Sequence, residues 1–124
     1  MGEHLNATVV REMTEAMLDG DREGAASRLA EGVVWHVIGR SEPYRGKAEL
    51  AASMEALRDF AIRWDQHDLL ASDDHVIAIG TATATHGDRT LVYRVAEIYH
   101  VRGGRITERW AFSDDTQAIV DFFG

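Results

Sequence analysis

The sequence predicts an α+β fold: helices in the first half of the chain, then an antiparallel sheet. Three observations predict it. Apolar residues near the start recur at helical spacing. The second half holds four strand-like runs in succession. Short turns rich in Gly and Asp separate those runs, so the strands follow one another as a meander. Helices segregated from an antiparallel sheet make an α+β domain.

Leu5, Val9, Met13, Ala16 and Met17 form one helical face that ends at Gly20. Asp21 can cap a second, shorter helix through Ala25 and Leu29 to Ala30. Gly32 introduces Val33, Val34, Trp35, His36, Val37 and Ile38, a β-branched and aromatic strand. Gly39 to Gly46 contains the only proline, Pro43, and is a loop. Leu50, Met54, Leu57 and Ala61 mark a third helix from about Lys47 to Ile62. Strands follow at Trp64–Ala71, Val76–Thr85, Thr90–Val101 and Arg105–Ser113. Asp114 and Gln117 have the spacing of a capping box for a short last helix. With no linker, repeat or low-complexity stretch, residues 1–124 form one domain.

The 124 residues suffice for a core without staples. Hydrophobic residues at 45% and charged residues at 27% match a globular chain rather than a disordered one. The absence of cysteine excludes disulfides, thiolate nucleophiles and cysteine-based zinc sites. A formal net charge of -8 argues against nucleic acid, whose phosphates need a basic face. No apolar stretch approaches a membrane helix, and no basic region precedes an apolar run as in a secretory signal. Met1-Gly2 starts like a myristoylation site, but the sixth residue is Asn6 rather than Ser or Thr. The expected setting is the cytoplasm.

Several segments carry a resemblance. Val34 to Gly39 followed by Tyr44-Arg45-Gly46-Lys47 looks like the first strand and loop of SnoaL-like domains. His67 to Asp74 and Gly103 to Trp110 look like later strands of the same group. In order and spacing the chain resembles the SnoaL-like branch of the nuclear transport factor 2-like (ketosteroid isomerase-like, cystatin-like) superfamily over nearly its whole length. The resemblance implies a curved antiparallel sheet whose concave face is closed by three helices, leaving a cone-shaped cavity. It also implies a homodimer through the convex sheet face, with Glu97, Tyr99, Glu108, Trp110 and Phe112 on that side.

Members of the superfamily include ketosteroid isomerases, limonene epoxide hydrolases and polyketide cyclases, so the site must choose among them. The isomerase resemblance places its base and oxyanion-hole residues on Val37, Met13 and Ala96, none of which can do that work. The hydrolase resemblance matches its arginine to Arg94 and its two aspartates to Ala96 and Ala111. The cyclase acid also falls on Ala111. A slip of one residue would exchange the sheet faces and bring Glu97 and Trp110 inward.

In the expected register the cone shows Trp35 and Val37 from the first strand. It shows Val92, Arg94, Ala96, Ile98 and His100 from the long strand, and Thr107, Arg109, Ala111 and Ser113 from the last. Met13 and Leu57 contribute from helices. Such a mostly apolar cavity with cationic groups suits an apolar ligand bearing a carbonyl or carboxylate. Arg94 reads as a ligand anchor or as half of an internal ion pair with Asp68, the latter because a buried guanidinium needs a partner.

Catalytic candidates are His36, as a base beside Trp35, Arg94, and Tyr44, as a donor near the mouth. No two of the six histidines have the helical spacing of a metal site, and no metal or cofactor is expected. Asp73-Asp74 and Asp114-Asp115 fall at a turn and a cap, and Arg102-Gly103-Gly104-Arg105 is a strand connection rather than an RNA element. The expectation is a small-molecule pocket protein without the usual acids. The alternative is an enzyme acting on a small apolar metabolite with non-standard residues.

Overall fold

Gly20 and Asp21 make the first corner of the chain. Gly20 takes φ +76°, a conformation open to glycine, and Asp21 accepts the Gly24 N–H at 2.9 Å. That corner separates α1 (Leu5–Leu18) from α2 (Arg22–Ser27) in the computed structural model, which describes residues 3–124. Met1 and Gly2, with the myristoylation-like start, lie outside the described residues. The chain continues through β1 (Leu29–Trp35), β2 (Tyr44–Arg45), α3 (Gly46–Ala56), β3 (Ala61–Ala71), β4 (His75–His86), β5 (Arg89–Arg102), β6 (Arg105–Ser113) and α4 (Thr116–Phe123).

The six strands form one curved, unclosed sheet in the order β2-β1-β6-β5-β4-β3. The α+β class and the meander are as expected, with one difference: β1 runs parallel to β6, while every other neighbouring pair is antiparallel. Tyr44 and Arg45, expected within a loop, instead form β2 against Trp35 and Val34, and the other differences lie at element ends. Leu29 and Ala30 open β1 rather than closing α2. The third helix stops at Ala56, and Ala61 and Ile62 pair with Thr85 and Ala84 in the β3–β4 ladder. Ile62 and Trp64 fit a pleated surface better than a helix, and the ladder supplies their backbone partners.

The last helix is capped by Asp115, which accepts the Ala118 N–H at 3.1 Å. Asp114, the expected cap, instead accepts from the Arg94 backbone N–H at 3.3 Å. Asp73 lies in the β3–β4 turn, where the Asn6 amide donates to Ser72 O at 3.0 Å and Asp73 O at 2.9 Å. Those bonds fix the start of α1 over the sheet.

The core lies between the concave face and the helices. Val10 and Met13 of α1 and Leu50 of α3 meet Val33, Trp35, Tyr99 and Ile106 of the sheet. Each such burial contributes roughly 1.5–3 kcal/mol. Gly80 gives Trp64 its place: a Cβ there would lie 2.6 Å from the Trp64 ring. α1 packs on β3, β4 and β6, whereas α3 packs on β1 and β2. Among the described residues no helix is long and apolar enough to cross a membrane.

Candidate functional site

The β5–β6 hairpin decides which side chains reach the helix-covered face of the sheet. Arg102 and Arg105 pair across the Gly103-Gly104 turn, and Val101 pairs with Ile106. A bulge follows: Thr107 has no partner, so His100 faces Glu108 and Tyr99 faces Arg109. The extra residue turns Arg109 inward although it stands three positions from buried Ile106. Counting back by twos from Val101 then gives Tyr99, Glu97, Val95 and Tyr93 on the covered face.

This corrects the expected register of β5. Arg94, Ala96, Ile98 and His100 point to the outer face, as do Trp110 and Phe112, while Glu97 and Tyr99 point to the helix-covered face. Trp35, Arg109, Ala111 and Ser113 lie on the covered face, Val37 packs against the core, Met13 is buried and Leu57 caps α3 half-buried.

A hydrogen-bonded cluster forms around Arg109. Its Nη2 donates to Glu97 Oε2 at 2.6 Å, and its Nη1 donates to the His36 carbonyl at 2.9 Å. The Tyr99 hydroxyl donates to Glu97 Oε1 at 3.0 Å. The guanidinium lies over the Trp35 ring, 4.8 Å from its centre, and Trp35 meets Tyr99 edge-on. Glu97 and Arg109 keep only 14% and 13% of their side-chain exposure. Among the described residues, Arg109 Nε is buried with no acceptor.

Burial opposes the Arg109 charge, but Glu97 and then Tyr99 more than offset it and hold the guanidinium above its ordinary range. Burial pushes the Tyr99 phenol far above the usual tyrosine range, and the Glu97 charge pushes the same way. Tyr93, half-buried on the same face, is also raised by burial, with Arg109 opposing and Glu97 adding. The positions of the usual acids remain Ala96 and Ala111, but an acid of another position, Glu97, lies on the covered face, one residue along from Ala96.

The catalytic candidates are dispersed. The His36 ring lies on the outer face, stacked on Trp110 at 4.8 Å, with Nε2 2.8 Å from Glu108 Oε2. Tyr44 pairs with Trp35 in the β1–β2 ladder and carries Arg40 above its ring at 4.0 Å. Arg94 is exposed and, among the described residues, forms no ion pair with Asp68, whose Oδ1 accepts from Leu69 N–H. Arg94 instead borders an open hollow of about 530 Å³ on the outer face, with Ile79, Ala96, Phe112, His67 and Asp114. Among the described residues no group of three or more His, Cys, Asp or Glu could hold a metal ion.

Sequence reasoning placed Glu97 and Tyr99 on the convex face, and Glu97 inward only on a one-residue slip, because both faces of β5 carry apolar residues. The usable signal was the hairpin: apolar Val101 beside exposed Arg102 sets the inward phase of β5.

A family model for the SnoaL-like domain matches residues 10–109. The chain belongs to the SnoaL-like family. No curated protein matches it significantly. Among solved structures, a nuclear transport factor 2-like protein from Burkholderia xenovorans is 24% identical, with 100% of this chain and 99% of that one covered and a TM-score of 0.87. An LEH-like epoxide hydrolase from M. tuberculosis is 20% identical over 89% of this chain and 83% of its own, with a TM-score of 0.80. TerC, co-crystallised with polyporic acid, is 19% identical over 97% and 98%, with a TM-score of 0.84. At these identities the likeness establishes the fold of the SnoaL-like domain.

Proposed function

We propose that this SnoaL-like domain binds a small, largely apolar molecule in its cone through a neutral carbonyl oxygen. The observation that carries this is Arg109 Nε, a buried donor without an acceptor among the described residues. Leaving such a donor unpaired is costly, and a ligand oxygen would satisfy it. The Glu97–Arg109 pair has no net charge, so a neutral oxygen suits it better than a second carboxylate beside Glu97. Aromatic and apolar neighbours, among them Trp35, Val37 and Ala111, suit the body of such a molecule. A solved relative of the same fold holding polyporic acid supports a small-molecule reading.

A thermal-shift comparison of lactones or methyl ketones with carboxylates of the same apolar body tests it. Neutral carbonyl compounds should stabilise the wild type, by about 2.7 kcal/mol at 100 times the dissociation constant. Glu97→Gln frees the Arg109 charge and should shift the preference to carboxylates. No stabilisation by either class in either protein sinks the reading.

One observation favours the enzyme alternative: an acid, Glu97, lies on the covered face beside a tyrosine hydroxyl. Both its oxygens already accept hydrogen bonds, so action as a base requires giving one up. Turnover of a bound compound, lost in Glu97→Gln while binding persists, would establish it.

A second copy of the chain is the proposed partner of the outer sheet face. Glu108, Trp110 and Phe112 remain on that face, joined by Ile79 and Ile98 in place of Glu97 and Tyr99. Phe112 is 56% exposed beside the outer hollow, a poor arrangement for a large ring left in water.

A further inference from the structure

We infer that His36 is a positioning residue that holds Arg109 from the opposite side of the sheet. His36 follows β1 directly, where the β1–β6 ladder ends. Its backbone N–H donates to Arg109 O at 2.8 Å, and its carbonyl accepts from Arg109 Nη1 at 2.9 Å. His36 and Arg109 thus clasp each other through an inter-strand backbone bond and the guanidinium.

The ring of His36 is fixed on the outer side. It lies flat on Trp110, with ring centres 4.8 Å apart and planes 4° from parallel. Its Nε2 meets Glu108 at 2.8 Å. Trp110 is itself braced by His100 at 4.9 Å, and His100 by His75 at 4.5 Å. Stacking and a hydrogen bond to a carboxylate add to the single inter-strand backbone bond that holds His36 at the strand end. A residue beyond the last ladder pair frays more readily without them, and with it would go one of the two acceptors that aim Arg109.

The importance of this for binding rests on the proposed role of Arg109, but its test does not need a ligand. The Arg109 Nε–H resonance of the whole protein, labelled with nitrogen-15 at arginine, reports its surroundings directly. His36→Ala should shift that resonance and speed its exchange with solvent about tenfold, since two outer contacts are lost together. His36→Gln, which keeps a side-chain donor, should recover part of the protection. Glu108→Ala, on the outer face and remote from the guanidinium, should shift the resonance in the same direction by less, and it carries the test if His36→Ala fails to fold. An Arg109 signal unmoved by the outer-face changes, even if the melting temperature falls, overturns the inference. A signal that moves in a protein no carbonyl compound stabilises leaves the inference standing and removes the proposed function.

Discussion

Glu97 and Arg109 stand on adjacent strands with 2.6 Å between carboxylate and guanidinium, and each brings the other into a place where neither charge would be tolerated alone. Tyr99 completes the carboxylate and Trp35 the guanidinium. Removing one member of a buried pair strands the other. Arg109→Leu or Glu97→Leu should each cost about 3 kcal/mol by denaturant unfolding, the low end for a buried pair because some exposure remains. The double variant should cost no more than either single one. Additive losses would show that the pair is not coupled.

Tyr99 makes stability fall in alkali. Burial favours its neutral phenol, so the folded chain holds that proton more tightly than the unfolded chain. Stability is full below about pH 10, where an ordinary tyrosine titrates, and falls above it by up to about 1.4 kcal/mol per pH unit. Tyr99→Phe should flatten that slope in unfolding curves across the alkaline range. It should also cost about 1.5 kcal/mol at neutral pH through the lost bond to Glu97. An unchanged slope would assign the alkaline loss to other groups.

The α4 cap separates two neighbouring aspartates. Asp115→Ala should lower stability by about 1 kcal/mol and loosen Thr116–Phe123 in hydrogen exchange, because it removes the acceptor for Ala118 N–H. Asp114→Ala, which loses a longer bond to the Arg94 N–H, should cost less. Equal effects on α4 would mean that the two share the cap.

Sedimentation at micromolar concentration should give a dimer for the wild type. Phe112→Glu, placing a charge on the exposed outer ring, should give a folded monomer. A wild-type monomer would remove the outer face from consideration as a self-interface.

The Gly20-Asp21 corner, the Gly103-Gly104 hairpin and the β6 boundaries were legible in the sequence because each rests on local chemistry. The end of α3 was not, because Ala61 continues a helical stripe that pairing with β4 overrides. The cap moved from Asp114 to Asp115 for the same kind of reason: Asp114 is drawn to the Arg94 backbone across the sheet.

The sequence by itself determined the fold class, the order of every element but β2, and the family, since apolar periodicity, turn residues and strand motifs are written locally along the chain. Only the tertiary structure decided which residues lie on the helix-covered face. Side chains alternate with a period of two, so a single-residue error on β5 exchanged Arg94 and Ala96 for Glu97 and Tyr99. The bulge at Thr107 and the parallel docking of β1 on β6 bring Trp35, Glu97, Tyr99 and Arg109 together, and both are relations between strands that no single stretch of sequence contains.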